Sequence, residues 1–162
     1  MTRRSVVLGL ALALAAASVP AHAAGRGRRA DTDAGREYFV EVLVLHATNS
    51  GKGIDERIGD LPELRKPPFS SYDSYELLQA ERLPLVVGEP RELRLPNDRV
   101  LRTSLVAVLP RETLRIAASI NQPKGKTFLP LLEVKAKVGQ RFIVAGQKYR
   151  AGILVLVFRV TR

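Results

Sequence analysis

His46, Gly51 and Lys52 fall close together in VLVLHATNSGKG, residues 42–53. A run of β-formers that ends in a glycine-punctuated loop with one lysine has the outline of a phosphate-binding turn. That chemistry needs G-x-x-x-x-G-K-[ST], because the glycines let backbone N–H groups wrap the phosphates and the last hydroxyl holds Mg²⁺. Gly51-Lys52 is present. The position five before Gly51 is His46 rather than glycine, and Gly53, which has no hydroxyl, follows Lys52. No long helix follows to aim its N-terminus at an anion. The stretch therefore reads as a strand leaving a sheet through a glycine-rich turn.

Other chemistries are narrowed in the same way. Cysteine is absent, which removes thiolate nucleophiles, disulfides, Cys-ligated zinc and iron–sulfur clusters. The two histidines are His22 and His46, and His22 lies in a removable leader. One histidine cannot build a multi-histidine metal site. A Ser–His–acid set is arithmetically open to Ser50, Ser70, Ser71, Ser74 or Ser104, but no G-x-S-x-G elbow is present. Asp55, Glu56, Asp60 and Glu63 crowd one short segment, where helix capping explains Asp55 and Asp60 without a catalytic cleft. Asp31-Thr32-Asp33 begins like a calcium loop, but its twelfth position is Val42 rather than glutamate. The sequence thus predicts no cofactor, no metal and no catalytic residue. The alternative is a small hydrolase with a site around His46 and the 47–60 loop.

The N-terminus carries an address. Arg3 and Arg4 precede the apolar run VVLGLALALAAASV, and Ala21-His22-Ala23 supplies a small-x-small cleavage site, so the cut is expected after Ala23. The run is short and rich in small residues for a membrane span. Thr2-Arg3-Arg4 also resembles a twin-arginine signal, with Val6 where an aromatic is usual. The expectation is a periplasmic or secreted chain with no transmembrane anchor after cleavage. Residues 1–23 are the leader, 24–36 a polar flexible arm, and 37–162 the folded domain.

Charge is uneven. Residues 24–98 hold 11 lysines and arginines and 14 acids, whereas residues 99–162 hold 13 and only two acids, Glu112 and Glu133, a net of +11. A field of that sign attracts anions. Arg115, Lys135, Lys137 and Arg159 fall at outward strand positions, and Lys148 and Arg150 in a turn, so these six are the candidate anion- or partner-binding residues. Phe69, Tyr72 and Tyr75 in FSSYDSYELL are candidate aromatic contacts, although burial explains large aromatics more often. No RNP-like or helix-turn-helix pattern accompanies the charge, and nucleic acid is not expected as a partner.

The elements that must position these residues are short strands. Tyr38, Val40, Val42 and Val44 share one face of 37–46, with Phe39, Glu41, Leu43 and Leu45 on the other, so this strand reads as central. GILVLVF, 152–158, is apolar on both faces and also belongs mid-sheet. In 112–121, Leu114, Ile116, Ala118 and Ile120 face inward, and in 132–138 Leu132, Val134, Ala136 and Val138 do. Further strands are expected at 73–80, 83–87, 91–95, 99–109, 127–137 and 140–145, with a loop from Gly146 to Gly152. Between 47 and 70, Asp55 and Asp60 each cap a short turn, Gly59 ends the first and Pro67-Pro68 the second, and Ile58, Leu61 and Leu64 pin the segment to the core. The fold class is mainly β: a single antiparallel β-sandwich or partly open barrel of about seven to nine strands, with one or two short helical turns near residues 55–66.

The stretches HATNSGKGID…LPELRKPPFSSYDSYELL and GKTFLPLLEVKAKVGQRFIVAGQKYRAGILVLV resemble a group of uncharacterised exported bacterial β-rich proteins. The resemblance implies an exported β-domain and no activity. The sequence reading as a whole points to a non-catalytic extracytoplasmic domain, a binding or structural component of the cell envelope that meets an anionic component or another envelope protein through a basic face. N-terminal sequencing of the exported chain is expected to begin at Ala24; a first residue of Met1 or Thr2 would contradict the leader.

Overall fold

In the computed structural model, the described residues are 37–122, 125 and 127–162. The leader, the arm, Lys124 and Lys126 lie outside them. The chain forms nine strands: β1 (Tyr38–Thr48), β2 (Gly53–Ile54), β3 (Ser74–Leu85), β4 (Arg91–Arg94), β5 (Val100–Leu109), β6 (Thr113–Asn121), β7 (Phe128–Lys137), β8 (Arg141–Tyr149) and β9 (Gly152–Thr161). They build a five-stranded sheet in the order β2-β3-β1-β9-β8 and a four-stranded sheet in the order β4-β5-β6-β7. Pairing is antiparallel except for the two-residue β2, which runs parallel to the start of β3. The sandwich is thus the architecture, and the two sheets do not close into a barrel.

The alternation on β6 builds the inter-sheet core. Leu114, Ile116, Ala118 and Ile120 are all buried there, against Val40, Val42 and Val44 of β1 and Leu154, Leu156 and Phe158 of β9. Phe158 stacks on Phe142 of β8, with ring centroids 4.8 Å apart. β1 and β9 lie side by side in the middle of their sheet, as their two-faced apolar pattern requires.

Their opposite face is covered by chain rather than by a sheet. Leu45, Ala47, Val155 and Val157 meet Ile58, Leu61, Leu64 and Tyr75 in a second buried cluster. The segment from Ile54 to Tyr72 lies over this face as a strap of three 3₁₀ turns, Glu56–Ile58, Pro62–Arg65 and Phe69–Ser71. Asp55 caps the first turn by accepting from the Arg57 amide, and Gly59 ends it with φ 72°. Asp60 does not cap the second. Leu61 takes that position, and its apolar side chain makes no cap bond; Pro62 at the start of the turn has its φ already set for it.

Two other expectations change. Residues 73–87 are not two strands: β3 runs unbroken to Leu85, and Pro84 is tolerated because, beyond β2, β3 is the sheet edge, where a missing N–H costs no ladder bond. The expected Gly146–Gly152 loop is also shorter. β8 continues to Tyr149 through a bulge between Ala145 and Gln147, where Gly146 adopts φ 119°. No helix among the described residues is long and apolar enough to cross a membrane.

Leu64 belongs to no strand, yet it is 2% exposed. Leu64→Ala is expected to lower unfolding free energy by about 2–5 kcal/mol, as for any core leucine. Urea denaturation checks this; a loss below about 0.5 kcal/mol, the range of ordinary surface substitutions, would show that the strap is not part of the core.

Candidate functional site

The six candidate cations do not share one face. Arg115 of β6 and Lys135 and Lys137 of β7 point outward from the four-stranded sheet, where Arg115 and Lys135 stand directly opposite each other. Arg115 lies 3.5 Å from Glu133. Arg159 stands on the outer face of the other sheet, in a cross-strand row that reads Arg82, Glu41, Arg159, Arg141. Its nearest acid is Glu41, at 3.9 Å. Arg82 in that row lies over the Phe39 ring at 3.8 Å. Lys148 is near the end of β8, and Arg150 is in the β8–β9 turn. Like charges directly opposite across strands oppose pairing, and the described residues include two such pairs, Arg115 with Lys135 and Arg141 with Arg159.

The three candidate aromatics meet in the second core. Tyr75 is buried, and its hydroxyl donates to the Phe69 carbonyl at 2.6 Å. Burial pushes its pKa up to about 12. Tyr72 packs edge-on to Tyr75, with centroids 6.5 Å apart.

A cleft of about 400 Å³ opens at the end of β1, lined by His46, Thr48, Ser50, Lys52, Gly53, Asp55, Ser74, Tyr75, Glu76 and Arg150. Three features of the chain build it. The 49–53 loop is tied down by the start of β3: the Gly51 amide donates to Asp73 Oδ1 at 3.0 Å, and the Lys52 amide donates to Ser74 Oγ at 2.8 Å. Asp73 in turn donates its amide to Asn49 Oδ1, and Ser74 Oγ donates to Asp73 Oδ1 at 2.6 Å. The β8–β9 turn presses against the end of β1 because Gly152 allows it: a Cβ there would sit 2.0 Å from the Ala47 carbonyl oxygen. That contact brings Arg150 to the cleft wall.

His46 lines this cleft, directly opposite Glu76 on β3. Its ring packs edge-on against Tyr149 at 5.0 Å. Its Nε2 is buried and has no hydrogen-bond partner. No Ser–His–acid relay is assembled among the described residues. The Ser74 hydroxyl is engaged by Asp73 and the Lys52 amide, and the Ser50 hydroxyl lies 3.1 Å from that of Thr48. Asp55 is spent as well: it accepts from the Arg57 side chain and amide and from the Leu77 amide, which hold its carboxyl well below the usual range. No three His, Asp or Glu side chains among the described residues converge to hold a metal.

The sequence singled out His46 and the 47–60 loop, which holds Thr48 and Lys52, but missed Glu76 as a neighbour. Arg150 was found as a cation, not as a cleft residue. Cross-strand register and the β8 bulge make these neighbours, and neither is visible in local patterning. The chain matches no family model, no curated protein and no solved structure. Its functional reading therefore rests on the geometry.

The Ser74 hydroxyl and the Gly51 amide lower the pKa of Asp73. A carboxylate with a depressed folded pKa stabilises the fold above the unfolded pKa, near 4, and loses that contribution as pH falls through the folded value. Between about pH 6 and about pH 3 the urea midpoint of the parent chain should fall more than that of Asp73→Asn. Equal slopes would mean that Asp73 does not hold the loop.

Proposed function

We propose that this chain is an extracytoplasmic, non-catalytic β-sandwich that binds an anionic component of the cell envelope, with the outer face of the four-stranded sheet as the contact surface. The observation that carries the reading is the Arg115, Lys135 and Lys137 group. Arg115 and Lys135 are held opposite each other although like charges there oppose strand pairing. The neighbouring outward positions Ala107, Ala117 and Ser119 are small, so the long cationic side chains stand above a low surface. On this sheet Glu133 pairs with Arg115 and Glu92 with Arg102, whereas among the described residues no ion pair holds Lys135 or Lys137, so their charge is open to an outside anion. The expected leader supports a location where anionic lipid head groups and acidic glycans are the available partners.

The hydrolase alternative has less support, since no hydroxyl or carboxylate among the described residues bonds His46 Nε2.

Co-sedimentation of the chain with phosphatidylglycerol-containing vesicles tests the proposal. Binding should weaken steeply as salt rises. Lys135→Gln with Lys137→Gln should cost about 1 kcal/mol per charge, or roughly thirtyfold for the pair. Binding that ignores salt, or a double variant that binds as well as the parent, would overturn it.

A further inference from the structure

We propose that the cleft at the end of β1 is a binding site for a small hydroxylated carboxylate, a sugar acid of monosaccharide size. Its volume of about 400 Å³ lies in the lower part of the ~300–1,000 Å³ range of small-molecule sites. Most of the lining's polar groups are spent within the protein, as described for Asp55 and Ser74. Those that remain are the Lys52 ammonium, the Arg150 guanidinium, the Glu76 carboxylate and the Thr48–Ser50 hydroxyl pair. Among the described residues no hydrogen bond or ion pair holds the Lys52, Glu76 or Arg150 side chain.

That set selects the ligand's chemistry. Two cations lining one cleft favour a carboxylate. The Glu76 carboxylate and the Thr48 and Ser50 hydroxyls in the same lining offer acceptors to ligand hydroxyl groups, as a sugar presents them. A bare anion would leave Glu76 facing it with like charge. A neutral sugar would leave both cations without a partner.

One feature points to a ligand rather than an incidental hollow. His46 is only 9% exposed, and its Nε2 has no partner among the described residues. Buried polar groups normally have one, and at the wall of an open cleft a bound ligand or an ordered water would supply it. Arg150 holds φ at 49°, the left-handed region where glycine costs least. The chain nevertheless places an arginine there, over the Tyr149 ring at 5.0 Å and at the cleft wall. Asp98, Arg111 and Glu112 hold the same region in turns elsewhere, so the conformation itself is that of a tight turn. The ties from Asp73 and Ser74 to the 49–53 loop fix the opposite wall in advance, so binding orders little backbone.

This inference does not rest on the proposed membrane or polyanion contact, which uses residues of β6 and β7. Either can fail alone.

Titration of the ¹⁵N-histidine-labelled full chain tests it, with His46 assigned by comparison with His22→Ala. The probes are D-galacturonate, D-galactose and acetate. Galacturonate should shift the His46 resonances saturably, with galactose and acetate each roughly tenfold weaker or more. Lys52→Gln with Arg150→Gln should weaken galacturonate by roughly tenfold or more, while Arg150→Lys, which keeps the charge, retains most of the affinity. Both side chains are exposed, so the fold is expected to survive, and an unchanged thermal midpoint confirms it. The proposal is overturned by an unshifted His46 at tens of millimolar galacturonate. Galactose or acetate matching galacturonate would overturn it too, as would undiminished binding by the glutamine double variant.

Discussion

The structure depends on two adjacent strands that are apolar on both faces. β1 and β9 carry valine, leucine and isoleucine at consecutive positions, so one packed layer cannot hide them. Each buried apolar side chain contributes on the order of 1.5–3 kcal/mol by leaving water. One face is covered by the four-stranded sheet. The other would lie open if the Ile54–Tyr72 segment did not cross it. The strap is therefore as much a consequence of β1 and β9 as the second sheet is, and its short 3₁₀ turns serve to present Ile58, Leu61 and Leu64 at close spacing.

The same constraint places the polar features. A strap that begins just after β1 must leave the sheet through a tight loop, and Asn49 to Gly53 is that loop. Asp73, at the strap's far end, returns to hold it. The cleft lies where the strap departs, beyond the reach of the inter-sheet core, with β1, β3 and the β8–β9 turn as its walls. The basic residues collect on the outward positions that remain: one group on the four-stranded sheet, one row on the uncovered part of the five-stranded sheet, and Arg150 at the cleft.

Much of this was legible in the sequence. The period-two alternation of Leu114, Ile116, Ala118 and Ile120 names an inward face, because a strand's facing is local. The two-sided runs of β1 and β9 announce central strands for the same reason. Asp55, Gly59 and the Ile58–Leu61–Leu64 spacing described most of the strap. What the sequence could not supply was register between distant strands. Arg115 and Arg159 both read as outward, yet they belong to different sheets and point in opposite directions. The bulge at Gly146 moves β8 past the position where glycine suggested a loop. Glu76 faces His46 only after β3 pairs with β1, thirty residues away in the chain. The ties from Gly51 to Asp73 and from Lys52 to Ser74 are of the same long-range kind.

Native-state amide hydrogen exchange tests the two-sided core most directly. If β1 and β9 are held from both sides, their amides exchange only through global unfolding, and the Ile58 and Leu64 amides of the strap are protected by a smaller opening that leaves both strands closed. Strap amides that exchange like free chain, or β1 and β9 amides that exchange faster than those of β5 and β6, would contradict the account.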